Sequence, residues 1–136
     1  MNSHIFTYGS LMFAQIWQRV VRGTYRSAPA VLKDHARFEV AGQTYPGMVA
    51  CPGAAVRGLV YFDVDHADIA LLDAFEGPAY RRDILNAELE DGSAIKINAY
   101  IHIDKSGLSD APWDPEQFQM ARFMELHCRQ DRPGNN

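Results

Sequence analysis

Two segments of the 136-residue chain carry residue types that could do chemistry. The first, Phe6-Thr7-Tyr8-Gly9-Ser10-Leu11-Met12, sets a Gly-Ser turn between a short apolar run and a helix-like stretch. Backbone N–H groups at a helix entrance have no acceptor within the helix, so they can hold an anion or the oxygen of a polarised carbonyl. The second, Asp73-Ala74-Phe75-Glu76-Gly77-Pro78-Ala79-Tyr80-Arg81-Arg82, leaves Glu76 at a predicted helix end, where its charge opposes the helix dipole. If Phe75, Tyr80 and the Tyr8 segment wall that carboxyl from water, its pKa rises toward the working range of a general acid or base. Both segments also have an ordinary structural reading, since glycine turns commonly cap helices and a lone glutamate at a helix end is commonly solvated. The Tyr8 segment lacks the lysine and glycine spacing of a phosphate-binding loop, which favours a neutral or zwitterionic ligand.

The elements that must position these groups follow from periodicity. His4 to Tyr8 reads as a strand, and Phe13, Ile16, Trp17, Val20 and Val21 fall on one stripe of a helix. From Tyr25 to Ala50, β-rich pieces alternate with breaks at Lys33-Asp34, Ala41-Gly42 and Tyr45-Pro46-Gly47, which predicts short strands in a curled sheet. Ala55 to Val64 is apolar enough for a central strand. Asp65 then offers an N-cap to a helix over about His66 to Phe75, which Gly77-Pro78 should end. Tyr80 to Leu89 and Ala94 to Ile103 flank Asp91-Gly92, the signature of a tight hairpin. Asp114-Pro115-Glu116-Gln117 opens a last helix, followed by a polar tail. Strict β-α alternation is absent. The expected class is therefore α+β, a small mixed, strongly curved sheet or barrel with peripheral helices, with one domain over 1–128 and a flexible tail over 129–136.

Composition narrows the function classes. A net charge of −4 and no Lys/Arg run longer than two argue against nucleic acid as a partner. No apolar stretch reaches the roughly 20 residues of a membrane span, and the N-terminus lacks a secretory pattern, so no membrane partner and a cytoplasmic location are expected. Cys51 and Cys128 are too few for a disulfide scaffold. Asp63, Asp65, His66 and Asp68 imitate a metal cluster, but strand alternation and helix capping explain them, and no metal is expected. Ser10 has no evident His-Asp partners, Arg81 and Arg82 should point to opposite strand faces, and Tyr100 reads as core. The segment 105–113 reads as a connector ahead of a lid. With no heptad seam, a monomer or weak homodimer is expected.

Taken in order, Phe6-Thr7-Tyr8-Gly9-Ser10-Leu11-Met12, Thr44-Tyr45-Pro46-Gly47, Leu72-Asp73-Ala74-Phe75-Glu76-Gly77 with Tyr80-Arg81-Arg82, Ala99-Tyr100-Ile101 and Trp113-Asp114 resemble the gamma-glutamylcyclotransferase-like family, especially its avirulence-induced plant branch and bacterial relatives. The resemblance implies a small β-barrel with flanking helices. It also implies cyclisation of a small-molecule gamma-glutamyl amide to 5-oxoproline, with release of an amine. Glu76 would be the acid/base residue. The N–H groups of Gly9, Ser10 and Leu11 would grip substrate oxygens, and Tyr8, Met12, Phe13 and Tyr100 would shape the pocket. No cofactor follows from this scheme. The alternatives are a non-catalytic binding module of the same fold and a related gamma-glutamyl acyl-transfer or lactam-forming enzyme.

Overall fold

Alternating apolar positions and tight turns fold most of the described residues into one sheet that closes on itself. A computed structural model describes residues 3–41, 45–103 and 107–113. In chain order the elements are β1 (Ser3–Thr7), a 3-10 turn (Ser10–Met12), α1 (Ala14–Val20), β2 (Ser27–Val40), β3 (Pro46–Val64), α2 (His66–Glu76), β4 (Tyr80–Leu89), β5 (Ala94–His102) and β6 (Leu108–Pro112). Strands β3, β1, β5, β4 and β2 are neighbours in that order, and β2 pairs again with β3 to close a five-stranded barrel. The β1–β5 contact is parallel and the others are antiparallel, so the barrel is mixed. This is the small α+β barrel with peripheral helices expected from the element order.

Side-chain alternation divides the core in two. Phe6, Leu32, Met48, Val60 and Ile97 pack inside the barrel, while Ile5 and Val64 face outward into a second cluster with Ile16, Trp17 and Leu72 of the helices. Successive strand residues point to opposite faces, so Ile5 and Phe6 tie β1 into both cores at once. Trp17 stacks on Tyr61 at 3.7 Å between ring centroids, fixing α1 to the outside of β3. The helical stripe read from the sequence makes this contact, with Ile16, Trp17 and Val21 buried and Phe13 and Val20 packed at the margin.

The α2 ends are as local chemistry requires. Asp65 Oδ1 accepts from Asp68 N–H at 2.9 Å, and Gly77, at φ 82°, returns its N–H to the Asp73 carbonyl. Asp68 in turn accepts from the N–H groups of Arg22 and Gly23 and from the Tyr25 hydroxyl, pinning the α1–β2 connection to α2. Burial pulls the Asp68 carboxyl upward, but these hydrogen bonds outweigh it and hold the group below the usual range.

Two expectations are corrected. The break predicted at Lys33-Asp34 is absent: β2 and β3 are long strands that bend without ending. Asp34 takes φ 60°, the pairing shifts between Lys33 and His35, and Gly53 on the facing bulge donates its N–H to Asp34 Oδ1 at 3.0 Å. Residues 108–112, read as connector or lid, form strand β6 on the outer half of β2. The last helix from Asp114, the tail over 129–136 and Cys128 lie outside the described residues. Among the described residues, no helix is long and apolar enough to cross a membrane.

Gly58 marks a tight point of the barrel: a Cβ there would overlap the Thr7 carbonyl oxygen and lie 2.7 Å from Phe6 Cζ. Only a glycine lets β3 approach β1 this closely. Gly58→Ala is expected to cost on the order of 1–3 kcal/mol in urea denaturation, the range for overpacking a core. An unchanged midpoint would contradict this packing.

Candidate active site

The barrel and helices meet at an open cleft of about 400 Å³. One wall is the chain leaving β1, from Phe6 through Leu11; the other is the end of α2 with the start of β4, from Ala74 to Tyr80. Tyr45 and Pro46, at the start of β3, and Tyr100, on β5, complete the lining. Because β5 pairs with both β1 and β4, the two segments singled out by the sequence are brought to one place.

The turn after Tyr8 is short. Its first internal bonds are Met12 N–H to the Gly9 carbonyl at 3.0 Å and Phe13 N–H to the Ser10 carbonyl at 3.1 Å. Ser10 and Leu11 therefore have no acceptor for their own N–H groups within the turn. Gly9 is held close to β3: a Cβ at this residue would lie 2.8 Å from Pro46 Cγ. A ring carbon cannot swing away as a flexible side chain could, so a side chain at this residue must displace the turn or the proline.

Glu76 is the last residue of α2 and the one carboxylate among the described residues lining the cleft. Among the described residues no hydrogen bond reaches its carboxyl. Burial pushes that carboxyl up to about 8, and the negative charge of Asp73, one helical turn earlier, adds to the effect. At neutral pH the group is mostly protonated, with a substantial ionised fraction; it can accept or donate a proton near the pH of its surroundings.

Tyrosines line the cleft around this carboxyl, and the hydroxyls of Tyr8, Tyr80 and Tyr100 are committed to acceptors. The Tyr8 hydroxyl donates to the Tyr100 carbonyl at 2.6 Å, the Tyr100 hydroxyl to Asp73 Oδ1 at 2.6 Å, and the Tyr80 hydroxyl to the Pro46 carbonyl at 2.7 Å. Burial, reinforced by nearby negative charge, holds the pKa of each well above the ordinary tyrosine value. They remain neutral and act as rigid, desolvating walls. Arg82 pairs with Asp73 through Nε at 2.9 Å and donates to Asn98 Oδ1 at 3.1 Å, while Arg81 pairs with Asp83 along β4. The two guanidiniums take opposite faces of the strand, as alternation predicts, and Arg82 anchors the end of α2 to β5.

Of the residues expected at a site, Tyr8, Gly9, Ser10, Leu11, Glu76 and Tyr100 line the cleft. Met12 and Phe13 do not: the turn carries them past the opening, and Phe13 packs at the margin of the helical core. A 3-10 turn rotates each successive residue by about a third of a circle, so three consecutive residues cannot all face one way. Tyr100, read as core, is both buried and part of the wall. Tyr45 and Pro46 also line the cleft, and their place on the wall depends on how β3 begins, which local sequence does not show.

The chain is similar in sequence and fold to known proteins. Residues 5–117 match the sequence profile of the family described as "Gamma-glutamyl cyclotransferase, AIG2-like". AIG2-like protein D of Arabidopsis thaliana is 29% identical over 129 residues, covering 90% of this chain and 84% of that protein. The solution structure of another Arabidopsis thaliana protein superposes with a TM-score of 0.71 at 25% identity, over 96% of this chain and 94% of that one. A solved structure titled gamma-glutamyl cyclotransferase shares the fold, with a TM-score of 0.71 at 17% identity over 94% of this chain and 81% of that one. With the profile spanning both walls of the cleft and the barrel between them, the chain belongs to the gamma-glutamyl cyclotransferase, AIG2-like family.

Proposed function

We propose that the cleft cyclises a gamma-glutamyl amide to 5-oxoproline and releases the amine, with Glu76 as the proton carrier. The observation that carries this reading is the placement of one half-buried carboxyl without a hydrogen bond among the described residues in the same cleft as a backbone turn with N–H groups to offer. The family supports the reaction class, and the identity of the departing amine is left to the test below.

The steps follow from what these groups can do. The ionised Glu76 takes a proton from the substrate's α-ammonium, freeing the nitrogen lone pair to attack the γ-carbonyl carbon of the same molecule. A five-membered ring closes as the C–N bond forms, and the carbonyl oxygen becomes an oxyanion that the N–H groups of Gly9, Ser10 and Leu11 are suited to hold. Glu76 then returns its proton to the departing nitrogen, the old C–N bond breaks, and the carbonyl reforms. Glu76 passes the second proton from the new ring nitrogen to the released amine in the same way, so two protons leave the attacking nitrogen and two reach the leaving one, charge is conserved and no water is consumed. The raised pKa matters because an ordinary glutamate is too weak a base to deprotonate an ammonium efficiently.

The test is a panel of gamma-glutamyl amino acids and amines incubated with the purified protein, with 5-oxoproline measured by mass spectrometry. Glu76→Gln keeps the size of the side chain but removes the base, and is expected to lower turnover roughly a hundredfold or more with the fold intact. Wild-type-like turnover in that variant would remove Glu76 from the mechanism. Ligand binding without product formation by the unaltered protein would instead favour the binding module.

The pH dependence has a definite sign. Below about 8 the ionised fraction of Glu76 rises roughly tenfold per pH unit, so kcat/KM should climb through neutrality and level off near that value. A cationic substrate beside the carboxylate stabilises its charged form, so the limb in kcat should lie at lower pH. A flat profile between pH 5 and 9 (roughly the range in which this limb must fall) would contradict the assignment. Gly9→Val, forced against Pro46, is expected to raise KM in the same assay, and an unchanged KM would show that the turn tolerates displacement.

A further inference from the structure

We propose that Arg37 is a positioning residue for the ligand-holding turn: it clamps the Tyr8 carbonyl from behind, and so orients and polarises the Gly9 N–H on the opposite edge of the same peptide unit. The proposal rests on the reading that the N–H groups of this turn hold a full or developing negative charge.

Arg37 belongs to the outer half of β2 and does not line the cleft. Its Nη1 donates to the Tyr8 carbonyl at 2.6 Å and to the Arg57 carbonyl at 3.2 Å, and its guanidinium lies 5.3 Å from the centre of the buried Trp113 ring. These contacts hold the guanidinium at the Tyr8 carbonyl. Tyr8 is consequently held at both ends, by Arg37 on its main chain and by the Tyr100 carbonyl on its hydroxyl.

A trans peptide directs its C=O and N–H to opposite sides. With the Tyr8 carbonyl facing Arg37, the Gly9 N–H faces away from it. A cation hydrogen-bonded to the oxygen draws electron density through the planar amide and makes the N–H a stronger donor; charge-assisted bonds are roughly twice as strong as neutral ones. An anion held by Gly9 would thus feel a positive charge one peptide away, without that charge entering the cleft, where it would pair with the Glu76 carboxylate and lower its proton affinity. Arginine suits the task better than lysine because one planar group can serve two carbonyls and lie over an aromatic ring.

The test uses the full chain carrying Arg37→Ala or Arg37→Lys. In ligand-free protein, Arg37→Ala is expected to move the Gly9 amide proton upfield in the 1H–15N spectrum. Millimolar guanidinium chloride should move it back, and urea at the same concentration should not. In the 5-oxoproline assay, Arg37→Ala is expected to lose about tenfold or more in kcat/KM, mainly through kcat, a smaller loss than direct removal of an oxyanion donor. Guanidinium should recover part of this loss and urea none, with Arg37→Lys intermediate. A purely structural arginine would alter thermal stability without ion-specific recovery. An unmoved Gly9 proton, equal recovery with urea, or turnover within about twofold of wild type overturns the proposal, and Arg37→Lys supplies the same readouts if Arg37→Ala does not fold. If the unaltered protein makes no 5-oxoproline from any donor, the proposed reaction falls, and the Gly9 proton alone decides the role of Arg37.

Discussion

A half-buried carboxyl at the last residue of a helix, where the helix dipole opposes its charge, is unfavourable unless something holds the helix end in place, and the rest of the site depends on that restraint. Glu76 gains nothing from the α2 dipole and has no hydrogen bond among the described residues. Its position is maintained by neighbours: Asp73, one turn earlier, receives the Tyr100 hydroxyl and the Arg82 guanidinium, both from the barrel. Leu72 and Ile69 add burial, each completely enclosed aliphatic side chain contributing about 1.5–3 kcal/mol. Asp73 thus has two effects: it docks the helix end that carries Glu76, and its charge helps keep Glu76 protonated.

The barrel supplies the second half of this arrangement. Parallel pairing of β1 with β5 and antiparallel pairing of β5 with β4 place the chain ends leaving β1 and entering β4 across one opening. Gly58 lets β3 close tightly behind β1, and Arg37, from the far arm of β2, takes hold of the carbonyl where β1 gives way to the turn. The cleft is therefore built from backbone and aromatic rings, with its charged supports, Asp73, Arg82 and Arg37, outside the lining. Such a layout leaves Glu76 as the one carboxyl on the lining among the described residues.

Much of this was legible in the sequence where the governing chemistry is local. The capping Asp65, the stop at Gly77, the hairpin at Asp91-Gly92 and the turn after Tyr8 each follow from a few adjacent residues, and so does the position of Glu76 at a helix end. The continuity of β2 and β3 was not legible, because Asp34 and Gly53 look like breakers in one dimension and become a paired bulge only when the two strands meet. Strand β6 escaped for a similar reason, since its partner is the distant outer half of β2. Arg37 gave no signal at all: a single cation in a strand has no period, and its partner is a carbonyl far earlier in the chain. The family resemblance implies Met12 and Phe13 as pocket residues, but neither is on the cleft lining.

The central claim is that the fold keeps the Glu76 carboxyl in a desolvated cleft and so raises its proton affinity. A 13C NMR titration of the Glu76 side-chain carboxyl in the ligand-free protein measures this directly, with Glu76→Gln to assign the resonance. The account predicts a midpoint near 8. A midpoint at the ordinary glutamate value, about 4.3, would mean that the carboxyl is solvated, and would contradict the account.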